Sequence, residues 1–214
     1  NHKKLIKHQI SPFYFMKDII DEPYVLIKDK NFKILSNVCT HRANVLCLNS
    51  SDSKFIKCKY HGRTFHLSGK LKNAPGFENI NNFPSENDNL NVVPIKVWND
   101  FIFCSIKSPM NIDLVFDDIN SRLKSYPFDD LVFDESNSNT YIIDTHWALY
   151  CENYLEGFHV PFLHQGLNND INVKSYKTKI LDHGVLQYTK GKLEDNLNQV
   201  FDINIYAFYY RIFP

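Results

Sequence analysis

Two pairs of cysteine and histidine residues are the feature of the sequence most able to do chemistry. Cys39 and His41 form a CxH pair, and Cys58 and His61 form a CxxH pair further along the chain. A [2Fe–2S] cluster in which two His replace two Cys on one iron needs this set of ligands. The same residues could bind one zinc ion, but zinc sites usually pair like with like, as CxxC with HxxxH. The mixed order therefore favours an iron–sulfur cluster over a zinc site.

The residues around these pairs resemble the Rieske domain of aromatic-ring-hydroxylating oxygenases. The first pair lies in the sequence CTHR at 39–42, and the second lies in CKYHGRTF at 58–65. By this resemblance the two cysteines bind one iron and the two histidines bind the other. The family often has Trp where this chain has Arg63, a difference that replaces no metal ligand.

A second set of candidate ligands lies in the other half of the sequence. Glu156, His159 and His164 are spaced as E-x2-H-x4-H, which resembles the mononuclear-iron motif of the same oxygenase family. Non-haem Fe(II) oxygenases bind iron with two His and one carboxylate and leave the other positions open. The resemblance assigns His159 and His164 as iron ligands. The third ligand, usually an Asp far downstream, has no counterpart of matching spacing, and we expect it beyond Pro214.

The spacing of these histidines requires an interruption of the helix. Five residues turn a straight α-helix by roughly 500°, so the two side chains would point about 140° apart. Because proline cannot continue the hydrogen bonding of a helix interior, we predict that Pro161 breaks the helix between His159 and His164. Glu156 lies three residues before His159, and we expect the two on one helical face.

The resemblance also implies a role for Glu156 in electron transfer. In the family an acidic residue at this place accepts one hydrogen bond from an iron-ligand His and another from a cluster His of a neighbouring subunit. The implied electron path runs from the neighbour's His61 through Glu156 and His159 to the mononuclear iron. It also implies a homo-oligomer, expected to be a trimer. A solvated glutamate on a helix surface is the alternative interpretation.

The first half of the sequence alternates short β-prone runs with turn signals. Ser68-Gly69 and Asn99-Asp100 are tight-turn sequences of the kind that join antiparallel strands. The predicted strands are residues 24–27, 32–35, 55–58, 64–67, 70–71, 92–98 and 101–106. Regular short strands predict a small antiparallel β domain. We therefore expect a Rieske domain over residues 1–108, with its core at about 20–107.

After residue 108 the pattern becomes helical and later returns to strands. Apolar residues at a helical period predict a helix from 112 to 126, and 147–158 is a second helix candidate. β-prone runs follow at 177–181, 185–189 and 201–210. Residues 109–214 are expected to be the N-terminal part of a catalytic domain, incomplete because the sequence starts at Asn1 and stops at a β-prone run. The predicted fold class is α+β.

Composition restricts the partners and the compartment. The formal net charge is +0, so the sequence makes no electrostatic case for a nucleic acid or an acidic membrane. It has no apolar stretch of transmembrane length and no signal-peptide pattern at its start. Cys47, Cys104 and Cys151 lie in apolar settings and are predicted to be buried free thiols. Free thiols indicate a reducing, cytoplasmic location.

The resemblance implies an oxidoreductase that passes electrons from a [2Fe–2S] cluster to mononuclear Fe(II) and hydroxylates a small organic substrate with O2. An NAD(P)H-dependent reductase, with or without a ferredoxin, would supply the electrons. An aromatic substrate is our first expectation, and a quaternary amine of the choline or carnitine type is the alternative. A non-enzymatic Rieske electron carrier would need only residues 20–107, so the segment around His159 distinguishes it from an oxygenase. A zinc-binding interaction module is the remaining possibility.

Overall fold

The computed structural model describes residues 6–107, 111–124, 126–192 and 207–212. The chain divides into two compact units, residues 1–109 and 110–214. In the described part of the chain, no helix is long and apolar enough to cross a membrane.

The first unit is built of short antiparallel strands. They are β1 (Ile10–Phe15), β2 (Glu22–Lys28), β3 (Phe32–Ser36), β4 (Phe55–Lys57), β5 (Thr64–His66), β6 (Leu71–Asn73), β7 (Val92–Val93), β8 (Ile95–Trp98) and β9 (Phe101–Cys104). One sheet has the order β1-β2-β3-β7, a second has the order β4-β5-β6, and β8 pairs with β9. The structure therefore confirms the predicted antiparallel β fold of this half of the chain.

The turns follow from the sequence at both predicted places. Asn99 and Asp100 have φ values of 43° and 66°, which suits the two-residue hairpin turn between β8 and β9. Gly69 has a φ of +90°, and a Cβ there would lie 3.1 Å from the carbonyl oxygen of Leu90. Only glycine meets both demands without strain.

Two strand predictions need correction. Strand β1 was not predicted, although it pairs with β2 along its whole length. It contains Pro12 and lies at the edge of its sheet, where a proline without an N–H is tolerated. The predicted strand at 92–98 is interrupted at Pro94, so that Val92–Val93 pairs with β3 while Ile95–Trp98 pairs with β9.

The core of the first unit supports the candidate ligands directly. Its fully buried side chains include Val25, Leu35 and Phe65, each 0% exposed. Cys39 and Cys58 belong to the same buried cluster. The two thiols are therefore fixed by packing, which is the condition for holding a metal group in one geometry.

The second unit combines short helices with a three-stranded antiparallel sheet. The helices are α1 (Ile112–Arg122), α2 (Trp147–Asn153), α3 (Val160–Leu163) and α4 (Gln165–Asp170). The strands β10 (Lys177–Leu181), β11 (Gly184–Thr189) and β12 (Ala207–Ile212) form the sheet in that order. The α+β fold class is confirmed. The predicted strand at 201–210 is seen from Ala207 onward, and residues 201–206 lie outside the described residues.

Both predicted helices are shorter than expected. Helix α1 begins after Asn111, whose side chain accepts a hydrogen bond from the Asp113 N–H, and it ends at Arg122 rather than at 126. Helix α2 ends at Asn153 rather than at 158.

The expectation of three buried free thiols also needs correction. All three are free, but of these only Cys151 is buried, while Cys47 and Cys104 are half-buried.

Candidate metal centres

The first set of candidate ligands lies on two loops that each follow a strand. Cys39 comes after β3, and its backbone N–H donates to the Asn44 carbonyl at 2.9 Å. Cys58 comes directly after β4, and its N–H donates to the Arg63 carbonyl at 2.8 Å. The second loop turns back through Gly62, whose φ is +78°, a conformation that favours glycine. Each loop thus closes on itself and presents one Cys and one His.

These loops bring the four predicted residues together. Cys39 and Cys58 are 3% and 2% exposed, and their thiols are close enough for each to shift the pKa of the other. The rings of His41 and His61 lie 4.8 Å apart, centroid to centroid, at 68°. His41 is half-buried and His61 is exposed. The cysteines are therefore on the core side and the histidines on the solvent side.

The two thiols differ in their electrostatic surroundings. Burial raises the pKa of Cys39 above its usual value. Burial also acts to raise the pKa of Cys58, but the N–H groups of Tyr60 and His61 and the side chains of Cys39 and Asn44 outweigh it, so that the pKa is lowered. Stabilising a thiolate is what binding a metal through sulfur requires.

The donor set fits a binuclear cluster better than a single ion. No group of three or more His, Cys, Asp or Glu side chains in the described residues is arranged to hold one metal ion. A structural zinc site needs four donors around one ion. A cluster of the mixed His and Cys type needs only two protein ligands on each iron, which matches a thiol pair beside an imidazole pair.

The second set lies around the start of α3. One Glu156 carboxylate oxygen contacts the His159 Nδ1, and the other accepts from the N–H of Phe158 and, at 3.3 Å, from the N–H of His159. Burial acts to raise the pKa of Glu156, but the His159 ring and the two N–H groups outweigh it and lower the pKa. The carboxylate is thus ionised at neutral pH and fixed against the His159 ring.

The predicted local geometry of this set is wrong in two respects. Glu156 is not on a helix, because α2 ends at Asn153, and it reaches His159 from the irregular segment before α3. Pro161 does not break a helix. It lies in the first turn of α3, where its missing N–H has no helical partner to lose. The interruption falls at His164, which ends α3 and precedes α4.

The interruption at His164 still brings the two histidines together. The His159 and His164 rings are 5.1 Å apart, centroid to centroid, at 73°. Both rings are thus close enough for one ion to lie between them. In the described residues no third Cys, His or carboxylate joins them in a metal-binding group. The third iron ligand stays a prediction.

Comparison with known proteins identifies the first unit. Residues 7–84 match the family model of the Rieske [2Fe–2S] domain. This part of the chain is a Rieske domain. The match contains all four predicted ligands and also β1, which lies before the core expected at 20–107. The [2Fe–2S] cofactor follows from this identification.

The relatives that match most of the chain are monooxygenases. Choline monooxygenase of Arabidopsis thaliana, a chloroplastic protein, is 28% identical over 94% of this chain and 51% of its own length. Its counterpart in Amaranthus tricolor is 31% identical over 94% of this chain and 47% of its own length. The carnitine monooxygenase oxygenase subunit of Escherichia coli (strain K12) is 29% identical over 84% of this chain and 49% of its own length. The chain thus spans about half the length of the relatives it matches.

Solved structures share the fold of this chain. The quaternary ammonium Rieske monooxygenase CntA superposes with a TM-score of 0.67 at 22% identity and covers 91% of this chain and 54% of its own. Naphthalene 1,2-dioxygenase superposes with a TM-score of 0.58 at 14% identity and covers 84% of this chain and 45% of its own. These likenesses extend the fold assignment beyond the Rieske domain.

The sequence analysis missed several residues that surround the cluster loops. Asn44 lies 3.7 Å from the Cys58 sulfur through its Nδ2. Arg63 was noted only as a departure from the family, yet it is 5% exposed and pairs with Asp88 at 3.2 Å. No spacing signal marks such partners, because Arg63 and Asp88 are distant in sequence.

Proposed function

We propose that this chain belongs to the oxygenase component of a Rieske non-haem iron monooxygenase that acts on a quaternary amine of the choline or carnitine type. One observation supports this most. The similarity to choline monooxygenases covers 94% of the chain, so it includes most of the second unit as well as the Rieske domain. The named activities of these relatives make a quaternary amine the better-supported substrate class.

Two earlier interpretations receive less support. The aromatic substrate rests on relatives such as naphthalene 1,2-dioxygenase, which is 14% identical and supports the fold alone. A simple electron carrier would need only the Rieske domain, and it leaves the arrangement of Glu156, His159 and His164 without a purpose.

In this proposal the buried thiols of Cys39 and Cys58 hold one iron of the cluster, and His41 and His61 hold the other. The cluster would supply electrons one at a time, and the mononuclear iron would supply the chemistry with O2. The buried positions of the two thiols would hold the cluster in one place. The exposed His61 ring is the ligand that another subunit can approach.

Glu156 is proposed to orient His159. Its carboxylate would accept a hydrogen bond from the His159 Nδ1–H, which would leave Nε2 free to bind iron and make the ring a stronger donor. The same carboxylate would accept a hydrogen bond from His61 of a neighbouring subunit and connect the two centres. This role requires an oligomer, for which we propose a trimer, and a reductase that delivers electrons from NAD(P)H, directly or through a ferredoxin. The free thiols suit a reducing compartment.

The substrate class can be tested with a matched pair of compounds. Purified full-length oxygenase with a reductase should consume O2 and form product with choline or carnitine. It should do neither with 3,3-dimethylbutan-1-ol, which has the shape of choline without its charge, because a cationic substrate is recognised through charge and cation–π contacts. Hydroxylation of naphthalene with no turnover of either amine would restore the aromatic interpretation.

A further inference from the structure

A buried arginine connects the two ligand loops of the Rieske domain. Arg63 follows His61 and Gly62 on the second loop, and its Nη1 donates to Thr40 Oγ1 on the first loop at 3.0 Å. Thr40 in turn donates to the Asp88 carbonyl at 2.8 Å. Because Thr40 lies between Cys39 and His41, this contact fixes the spacing of the two loops.

The guanidinium lies against a pair of aromatic rings whose centroids are 5.0 Å apart. The Arg63 Cζ lies 5.2 Å from the centroid of Phe77 and 5.4 Å from that of Phe83, both within the range of cation–π contact. Phe77 also contacts the His41 ring edge to face, at 5.6 Å between centroids. Arg63, Phe77 and His41 therefore form a continuous packed row.

The charge of Arg63 is only partly compensated. Its ion pair with Asp88 Oδ1 measures 3.2 Å, and Asp88 is more exposed than Arg63, at 18% against 5%. Its Nε is buried with no hydrogen-bond partner. A cation held away from water in this way acts over a longer distance than a solvated one, because the surrounding dielectric is low.

We propose that Arg63 is a positioning residue that locks the two ligand loops together and raises the reduction potential of the cluster. Reduction adds one electron and hence one negative charge to the cluster, and net charge near a cluster is among the factors that set its potential. A permanent buried cation beside His41 stabilises the reduced state, which Trp at this position would not do. The inference rests on the cluster assignment and does not depend on the substrate.

The test uses variants that shift the local charge in opposite directions. Arg63→Met removes the cation and keeps an apolar side chain against the two phenylalanines, so the reduction potential should fall. Asp88→Asn keeps the shape but removes the counter-charge, so the potential should rise. Arg42→Met is the control: Arg42 also neighbours His41, but it is exposed, and loss of its screened charge should shift the potential less.

Potentials are measured by anaerobic spectroelectrochemical titration of protein that carries its cluster, and EPR verifies that each variant retains the cluster. Opposite shifts for Arg63→Met and Asp88→Asn support the proposal, since loop disorder alone would not produce opposite signs. Equal potentials in all variants, or shifts of one sign, overturn it. If Arg63→Met does not assemble a cluster, the Asp88→Asn variant decides. A reduction potential that Asp88→Asn leaves unchanged overturns the proposal. A wild-type protein without the cluster signal would instead refute the cluster assignment itself.

Discussion

At the scale of single residues, binding of a cluster requires side chains that can ligate a metal and are held in place by the core. Cys39 and Cys58 are buried in the core, yet they keep polar neighbours that stabilise a thiolate on one of them. Cys47 packs against the same core but is half-buried and lies away from both ligand pairs in sequence. Its pKa is raised by burial alone. Cys47 is thus a natural comparison for the two ligands.

We expect Cys58→Ser to abolish the cluster and Cys47→Ser to leave it intact. Serine is a poor ligand for this iron, whereas at position 47 it only replaces one small side chain with another. Iron and acid-labile sulfide are determined on anaerobically purified protein, together with EPR of the reduced form. Loss of the cluster in Cys47→Ser and its retention in Cys58→Ser would reverse the ligand assignment.

Glu156→Gln tests the proposed connection between the two centres. Gln has the shape of Glu but no charge, so in the full-length protein both metals should remain bound while electron transfer between them slows by about 10- to 100-fold, the loss typical of partners of metal-bound His. Stopped-flow reoxidation of the reduced cluster in a single turnover measures this rate. Glu152→Gln on α2 is the control, because Glu152 is exposed. Equal reoxidation rates in both variants would remove Glu156 from the path.

The candidate metal ligands could be predicted from the sequence, but the residues that hold them in place could not. CxH, CxxH and E-x2-H-x4-H contain the donors in a short span, so spacing alone selects them. Arg63 meets Phe77, Phe83 and Asp88 only after the chain has folded back. Contacts at such separations depend on the tertiary fold and leave no local pattern.

At the scale of elements, the position of a helix end decides which candidate ligands come together. We predicted the interruption from the correct geometric requirement but assigned it to the wrong residue. A proline after an irregular segment starts a helix as readily as it ends one, and periodicity cannot separate these cases when the helix has four residues. The antiparallel hairpins were easier to predict, since Asn99-Asp100 and Ser68-Gly69 require conformations that few other residues adopt.

Substitutions in α3 test whether Pro161 breaks a helix, as the sequence predicted, or lies in the first turn of one, as the structure shows. Pro161→Ala should change stability by less than about 1 kcal/mol and leave iron binding intact, because the structure has no bond for Pro161 to break. Leu163→Pro should be harmful, at about 3 kcal/mol, since the Leu163 N–H donates to the His159 carbonyl at 2.9 Å. Leu163 is 72% exposed, so lost packing is a minor factor. Urea unfolding measures the change in stability, and iron content measures the change in iron binding. Loss of iron in Pro161→Ala would support the prediction that Pro161 breaks the helix.

Helix α1 carries a pair with a defined pH dependence. Arg122 donates to both carboxylate oxygens of Asp118, at 2.9 and 2.8 Å, and this bond lowers the pKa of Asp118 from its usual 3.8. A depressed folded-state pKa adds stability above the usual value, and that stability is lost as the pH falls through the folded-state pKa. The contribution is therefore complete at neutral pH and disappears below about 3.8.

Asp118→Asn should lower the free energy of unfolding at pH 7 by about 0.5 kcal/mol and by less at pH 3, because pH 3 lies below the usual carboxyl pKa of 3.8 and part of the stability from the ionised pair is already lost there. Asp117→Asn makes the same charge change at an exposed neighbour and should have a smaller effect at pH 7. Urea titrations at both pH values provide the comparison. A loss that is equal at pH 3 and pH 7 would show that the pair acts through shape and not through charge.

At the scale of the whole molecule, the two candidate centres differ in how many of their expected ligands the described residues bring together. All four candidate cluster ligands lie between Cys39 and His61, within the residues that match the Rieske domain. The histidine pair of the second unit has no third metal-binding partner in the described residues. Sequence reasoning could name both centres because each rests on a short motif. It could not name the substrate, whose contacts come from many elements and follow no spacing rule.

The 214-residue chain should therefore keep its cluster and bind mononuclear Fe(II) weakly. The two imidazoles that the described residues bring together supply one fewer ligand and one fewer negative charge than the usual non-haem iron site. Treatment with a mild chelator should remove the mononuclear iron and leave the cluster absorbance unchanged, and substrate hydroxylation should be slight even with reductase and O2. His159→Ala sets the background for adventitious iron. Iron that resists the chelator in the wild-type chain but not in this variant, together with turnover, would show that a carboxylate of the chain itself completes the site.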